Sequence, residues 1–370
     1  MIDSIVHALQ NQDYKNAARL IKQLQKEQPS HPWLPFYIGR YYEATDKFEK
    51  AEKAYRKLLQ NTSNPKIISQ ARQGIKRIQT VSEQRKNQAL TEAKNQPGGA
   101  ELGILILTEI APEGRKKAAQ SFAQIMEIDA YSARLQLPSR GWRVYRTGKM
   151  GELTYYVHAL GKVGIPCFCQ SVEKISKLNV YQVNYFESVE PLITAVCTTK
   201  DEVTKKIQFP YSAVSQRVEG LLPLFREAMA MDVRRKFQTT TTKPDYAHFC
   251  DLHLPSKQAI LRISDRSYQF NQGLKFDSSP QLGSNTIRNH WNQLITLLNQ
   301  HLPQAKIWSD FSQFTQTALD FPLLLAQIEP QVNLSRHKET HWDNAFQLYS
   351  SLIFLKELQR EQSQHLKANS

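Results

Sequence analysis

The first eighty residues carry small and large apolar side chains at helical spacing. Between Pro32 and Pro65, Gly39 and Ala51 stand where two antiparallel helices would approach closely. The larger apolar positions around them are Ile38, Tyr42, Phe48, Tyr55 and Leu58. Ala17, Ile21 and Leu24 precede Ala51, Tyr55 and Leu58 by 34 residues each. The pattern predicts two helical hairpins, closed by a capping helix at 66–79 that covers the last apolar face.

A 34-residue period of this kind resembles the TPR repeat, with its first unit shortened. Pro35 stands where the motif usually has a tryptophan, and a generic helical hairpin domain is the alternative. We therefore predict a TPR-like helical domain over residues 1–80. Residues 81–100 are polar and close with Pro97-Gly98-Gly99, which indicates a linker or helical extension that ends in a breaker.

Residues 101–178 alternate between strand-like and helix-like patterns. The apolar run Leu102–Thr108 predicts a central strand, and helical spacing follows Pro112 and recurs at 151–164. Short β-like segments at 132–138, 141–148 and 166–172 complete the set. The order β-α-β-β-α-β predicts a ferredoxin-like α/β domain over 101–178.

From residue 179 the pattern is mostly that of short strands separated by turns. Strands are predicted at 179–188, 191–199, 205–212, 245–254, 258–264 and 267–272. Helices are predicted at 215–237, 285–301, 310–328 and 336–362, and the threonine run Thr239–Thr242 is predicted to be a loop. We expect a strand-rich domain with C-terminal helices over 179–370, of which a small PH-like barrel is one form. The fold class is then α plus α/β, multidomain.

Composition favours a cytoplasmic chain that binds an anionic partner. The four cysteines among 370 residues include no CxxC pair, which fits a reducing compartment, and no apolar run is long enough to span a membrane. The net charge is 48 − 34 = +14, of which residues 1–100 contribute +8 and residues 101–240 contribute +5. Nucleic acid, a nucleotide or an acidic protein would each be attracted by this charge.

The segment 139–149 is the richest in candidate chemistry. Between Asp129 and Glu152 there are five cationic residues and no acidic one: Arg134, Arg140, Arg143, Arg146 and Lys149. On a strand, Arg143 and Tyr145 would share one face, and Trp142, Val144 and Arg146 the other. Arginine binds phosphate bidentately and recognises the O6 and N7 edge of guanine, while aromatic rings offer stacking faces. The predicted ligand-binding residues are Arg134, Arg140, Trp142, Arg143, Tyr145 and Arg146. The alternative is a solvated basic hairpin with Trp142 packed beneath the helices.

Two further constellations are weaker. Arg262 and Arg266 form an RxxxR spacing beside Ser267 that is similar to the PilZ motif, but the two motif elements overlap and the motif glycine is missing. The run Arg234-Arg235-Lys236 could add phosphate contacts, although a solvated helix end is the more common role of such a run. 

A metal site is also disfavoured. His248 and Cys250 would face one side of a strand, and Asp251 and His253 the other. The four side chains therefore could not converge on one metal ion, and we predict no metal and no cofactor. The pair Cys167 and Cys169 is better explained as one face of a buried strand.

The chain lacks the sequence motifs of the common enzyme classes. No Walker loop, GxGxxG, GxSxG or HExxH is present, so we predict a protein that is not an enzyme. RNA binding on an open ferredoxin-like sheet is disfavoured because the RNP aromatic pattern is missing, and direct nucleic-acid binding is not expected.

TPR-like hairpins, a ferredoxin-like unit containing RLQLPSRGWRVYRTG and a strand-rich C-terminal region resemble a cyanobacterial family of cyclic di-GMP receptors, the CdgR type. The resemblance implies a non-enzymatic receptor whose affinity for a protein partner, a transcription regulator, changes when the cyclic dinucleotide binds. The alternative is a TPR scaffold or adaptor that bridges proteins and has no nucleotide ligand.

Overall fold

The structure is a computed structural model that describes residues 1–224, 227–231, 237–241, 245–275, 286–332, 334 and 340–368. It divides into two compact units, Met1–Glu92 and Ala93–Ser370. Helices make up the first unit, and the second combines helices with all of the described strands. The predicted mixed architecture, with N-terminal helices and a strand-rich C-terminal part, is confirmed.

The first unit is built from consecutive helices that pack on one another. They are α1 (Ile2–Gln10), α2 (Tyr14–Glu27), α3 (Leu34–Ala44), α4 (Phe48–Asn61) and α5 (Pro65–Asn95). The last of these covers both the predicted capping helix and most of the predicted linker. Tyr55 of α4 lies at the centre of the core, with its ring beside Gly39 of α3 and Gly74 of α5. The small residues therefore mark close helix contacts, as their spacing predicts.

The second unit begins with a three-stranded antiparallel sheet of order β2-β1-β3. Its strands are β1 (Leu102–Thr108), β2 (Trp142–Lys149) and β3 (Cys167–Ser171). The helices in this part are α6 (Arg115–Met126), α7 (Ala130–Gln136), α8 (Met150–Lys162) and α9 (Val172–Ser176). Because successive β1 side chains point to opposite faces, Leu105 and Leu107 pack towards α6 and α8, while Ile104 and Ile106 enter a different core.

The predicted βαββαβ order of a ferredoxin-like unit is wrong, because residues 132–138 do not form a strand. They lie in and just after α7, which starts at an Asp129 N-cap whose Oδ1 accepts hydrogen bonds from the backbone nitrogens of Tyr131 (3.0 Å) and Ser132 (2.9 Å). Ala133 and Leu137, four residues apart, supply the buried side. Only three strands therefore occur within 101–178.

A seven-stranded mixed sheet follows, of order β12-β7-β10-β11-β4-β5-β6. Its strands are β4 (Asn179–Ser188), β5 (Ile193–Thr198), β6 (Thr204–Phe209), β7 (Gln216–Leu224), β10 (Asp245–Leu254), β11 (Ala259–Ser264) and β12 (Lys306–Trp308); β8 (Glu227–Met231) and β9 (Phe237–Thr241) pair separately. The pairs β11–β4 and β12–β7 are parallel, and the order ends at β12 and β6, so a PH-like barrel is not confirmed.

The helix predicted at 215–237 is wrong, because the chain there forms β7 and β8. Strand β7 pairs with β10 and β12, and these non-local partners stabilise the extended conformation, which also suits Gly220 and Pro223 better than a helix does. Residues 267–272 form turns rather than a strand. Thr239–Thr241 belong to β9 instead of a loop. Thr242 and the run Arg234-Arg235-Lys236 lie outside the described residues.

The remaining helices are α10 (Ile287–His301), α11 (Phe311–Ala318), α12 (Pro322–Leu325) and α13 (His341–Ala368). One face of the large sheet packs on α10 through Trp291, Leu294 and Leu298. The opposite face packs on α11 and α13, which also contact the small sheet. Helix α13 is buried on all sides from Ala345 to Leu355, as expected for a helix between two sheets. The predicted domains 101–178 and 179–370 thus share one hydrophobic core.

Candidate functional site

The predicted ligand-binding residues lie on β2 and in the segment before it, and the structure distributes them over different surfaces. Arg134 of α7 and Arg140, just before β2, are exposed. Arg140 donates from Nε to Gln313 Oε1 at 3.0 Å. Trp142 is instead buried, with its ring centroid 5.0 Å from those of Phe168 and Trp308 in edge-to-face geometry. The core position is the alternative that the sequence left open for Trp142.

An irregularity in β2 changes which side chains share a face. Leu105 of β1 pairs with Arg146 and Ile106 pairs with Val144, so Tyr145 is an extra residue in the ladder. A bulge of this kind re-aims the side chains that follow it. Tyr145 packs edge-to-face on Phe122. Arg146 Nη2 lies 3.4 Å from Glu152 Oε1, and its guanidinium lies over the Tyr156 ring. The expectation that Arg146 shares a face with Trp142 is therefore wrong.

Arg143 also has structural contacts. Its Nη1 donates to the Leu135 carbonyl oxygen at 3.0 Å, at the C-terminal end of α7, where a cation complements the helix dipole. Burial lowers the pKa of the Arg143 guanidinium from its ordinary value. Of the six predicted residues, only Trp142 lines the cavity described next.

A cavity of about 610 Å³ opens between β2, β7, β12 and α13. We call it the indole–lysine cavity, defined by Trp142, Gln216, Lys306, Trp308, Lys356 and Arg360. Its volume lies within the range of roughly 300–1,000 Å³ that is usual for small-molecule sites. Four distant parts of the chain contribute to it, and three of its six defining residues are cations.

The lysines of the cavity lie over aromatic rings. Lys306 Nζ is 3.8 Å from the Trp308 ring centroid, and Lys356 Nζ is 4.7 Å from the centroids of both Trp142 and Phe168. The Lys356 side chain is exposed as a whole, but desolvation of its ammonium group beside the two rings lowers its pKa from the ordinary value, and the positive charge of Lys306 lowers it further. An anion between these ammonium groups would offset both effects.

Arg360 adds a third cation, and Glu357 is the acidic residue of the lining. The two form an ion pair with Arg360 Nη1 3.6 Å from Glu357 Oε2. Because Lys306 and Lys356 are not neutralised by that contact, the lining carries a net positive charge.

The cavity lining includes two residues, Ser215 and Gln216, with a buried polar atom that has no hydrogen-bond partner among the described residues. Trp308 Nε1 donates to Gln216 Oε1 at 2.5 Å. The atoms without a partner there are Gln216 Nε2 and Ser215 Oγ. Buried polar atoms are usually paired, so both atoms suit contact with a bound ligand. Cations, indole rings and unpaired polar atoms thus line one cavity.

Sequence reasoning missed the residues contributed by β12 and α13. Lys306 and Trp308 alternate on a short strand, and Lys356 and Arg360 are four residues apart on a helix, so each pair shares a face. That signal was present, but nothing local indicates that the two pairs meet at Trp142.

The other candidate constellations have structural roles. Arg262 is fully buried and donates from Nε and Nη2 to the two carboxylate oxygens of Asp251, at 2.9 and 2.7 Å. It cannot reach a ligand in the manner of a PilZ arginine. Arg266 forms an ion pair with Asp245 at 2.8 Å.

The residues proposed and rejected as metal ligands lie on β10. Cys250 packs towards α10, whereas His253 contacts Ser350 of α13 on the opposite face. Over the described ranges, no group of three or more His, Cys, Asp or Glu side chains lies close enough to hold a metal ion. No helix in the described part of the chain is long and apolar enough to cross a membrane.

Comparison with known proteins finds no matching family model, curated protein or solved structure for this chain.

Proposed function

We propose that this chain is a non-enzymatic receptor for cyclic di-GMP, which it binds in the indole–lysine cavity. The observation that carries the proposal is the pairing of three cations with two indole rings around one cavity. Cyclic di-GMP presents two phosphodiester charges and two planar guanines, so its chemistry is complementary to that lining. The resemblance of the N-terminal helices and the strand-rich C-terminal part to cyclic di-GMP receptors favours this ligand over other nucleotides.

Ligand binding then changes the affinity of the chain for a protein partner, a transcription regulator. The two equilibria are linked if the ligand and the partner favour the same conformation of the chain, and each then strengthens the other. The TPR-like helices of the first unit are the proposed partner-binding arm, and the scarcity of cysteine supports a cytoplasmic location.

Calorimetric titration of the full chain with cyclic di-GMP tests the proposal. We expect binding at micromolar ligand that weakens about tenfold or more in Lys356→Gln, since a charge-assisted hydrogen bond contributes roughly 1.5–3 kcal/mol. Arg140→Gln is the matched control, because it removes one exposed cation outside the cavity. Absence of heat at tens of micromolar ligand would refute the receptor. Loss of binding in Arg140→Gln but not in Lys356→Gln would move the site to the predicted arginine segment.

A scaffold without a nucleotide ligand is the second candidate, and one observation favours it. Tyr131 and Leu135 of α7 are 74% and 58% exposed, and they lie four residues apart on one side of that helix. Exposed apolar side chains beside Arg134 suit an acidic protein surface. A partner that binds equally well with and without cyclic di-GMP, and that is lost in Tyr131→Ala, would support the scaffold.

A further inference from the structure

The start of β7 places one amide inside the indole–lysine cavity in a fixed orientation. Gln216 is 5% exposed, and its Oε1 accepts the hydrogen bond from Trp308 Nε1. An indole N–H can only donate, so the amide oxygen must face Trp308. The parallel pairing of β12 with β7, which sets Lys306 opposite Gln216, holds the two strands in this register.

The fixed orientation leaves only a donor for the ligand. Gln216 Nε2 has no hydrogen-bond partner among the described residues. Ser215 Oγ beside it also has none there, but a hydroxyl can donate or accept, so it does not discriminate between the two kinds of ligand. A buried donor without an acceptor is unfavourable, and a ligand that supplies an acceptor removes that penalty. A ligand that brings an amino group to the same place leaves two donors facing each other.

We infer that Gln216 is a specificity-determining residue that selects a heterocycle with a keto oxygen over one with an amino group at that position. The inference rests on the proposed function for the location of the site, and it adds the chemical class of base. Lys306, Lys356 and Arg360 supply the charge that holds phosphate, whereas Gln216 is neutral and hydrogen-bonded to the Trp308 indole. The phosphate is therefore assigned to the cations and the base to Gln216.

Trp308 acts as a positioning residue in this arrangement. Phenylalanine at position 308 would keep an aromatic ring beneath Lys306 but would lack the N–H that holds Gln216 Oε1. The Gln216 amide could then rotate and offer either its oxygen or its nitrogen to the ligand. Discrimination between keto and amino bases should fall, while binding of the phosphate is kept.

The test is titration of the full chain with pairs of ligands that differ at the base. Cyclic di-GMP and cyclic di-AMP form one pair, and inosine and adenosine 5′-monophosphates form the other. We expect the keto member of each pair to bind about tenfold or more tightly, as is typical when a site donor is left unpaired by the wrong ligand. That ratio should approach one in Gln216→Leu and in Trp308→Phe.

Gln208→Leu is the matched control, since it makes the same replacement on β6, outside the cavity lining, and should leave the ratio unchanged. Denaturant unfolding of each variant checks that the fold is kept, and Trp308→Phe provides the answer if Gln216→Leu does not fold.

The outcomes separate this inference from the proposed function. Cyclic di-GMP binding without base discrimination, or with a ratio that survives both variants, overturns the inference and leaves the receptor intact. Binding without base discrimination would assign Gln216 to a phosphate oxygen, and a ratio that survives both variants would assign base selection to another residue. No binding of either cyclic dinucleotide, with a Gln216-dependent preference for inosine monophosphate, overturns the receptor and supports the inference. No binding of any of the four ligands overturns both.

Discussion

Tyr55 offers the sharpest test of how the first unit is packed. Its ring is fully buried, and its hydroxyl donates to Glu43 Oε2 at 2.7 Å. A Cβ atom at Gly39 would lie 2.5 Å from Tyr55 Cε1, and a Cβ atom at Gly74 would lie 2.6 Å from Cε2. The two glycines thus contact opposite edges of the ring, and the substitution Gly39→Ala would place a methyl group against one of these edges.

The magnitude follows from these distances. Carbon atoms pack at about 3.5–4.0 Å, so the ring would have to retreat by roughly 1 Å, and Gly74 leaves no room on the other side. Overpacking of this kind lowers the free energy of unfolding by about 1–3 kcal/mol. Alanine recovers about 1 kcal/mol of helix propensity. With relief blocked on both sides, we expect a net loss of about 2 kcal/mol for Gly39→Ala.

The assay is denaturant unfolding of the full chain followed by circular dichroism. Gly161→Ala in α8 is the matched control, because nothing lies within 4 Å of its Cβ position, and it should be neutral or stabilising. In a Tyr55→Leu background, Gly39→Ala should also become neutral or stabilising, since the ring that it meets is gone. Equal effects of Gly39→Ala and Gly161→Ala, or strict additivity with Tyr55→Leu, would refute the packing argument.

Three further predictions concern buried groups of the second unit. Burial lowers the pKa of His253 to about 4, so below about pH 6.5 the unfolded chain binds a proton that the fold excludes. The free energy of unfolding should fall by up to about 3 kcal/mol between pH 6.5 and 4. In His253→Gln, denaturant unfolding at several pH values should show that the free energy of unfolding falls less steeply with decreasing pH. Arg262→Met leaves Asp251 buried without its partner and should destabilise by about 3–5 kcal/mol, whereas adding Asp251→Leu should recover much of the loss in thermal unfolding. Burial raises the pKa of Cys197 to about 12, so this thiol should react with Ellman's reagent only as fast as the protein unfolds. Rapid labelling of Cys197 itself in the native chain would contradict its burial.

Elements with strong periodicity were predictable, and those set by distant partners were not. The apolar run of β1 and the helical spacing of α8 lead directly to the observed elements. A helix is predicted where β7 lies, but the segment is a strand because β10 and β12 flank it. Segment 132–138 alternates like a strand, but the Asp129 cap starts a helix there. Prediction from the local pattern fails wherever a helix cap or a neighbouring strand stabilises the chain by more than the local preference does.

Side-chain direction on β2 shows the same limit at the candidate site. Strand alternation correctly sets Trp142 and Val144 on one buried face. It fails at Arg146, because the bulge at Tyr145 depends on the pairing with β1, which no local pattern reveals. A site proposed from one segment therefore contained a single residue of the cavity.

The position of Trp142 determines which experiments can be interpreted. Its indole belongs to the core between the two sheets and also to the wall of the cavity, so its removal would weaken the fold and the site together. Loss of ligand binding in a Trp142 variant would not separate the two effects. Lys356 and Gln216 do not have this ambiguity to the same degree, since Lys356 is exposed and the unused donor of Gln216 contributes no hydrogen bond within the described residues. Variants of those two residues therefore test the ligand site with the least effect on the fold, which itself requires the aromatic wall.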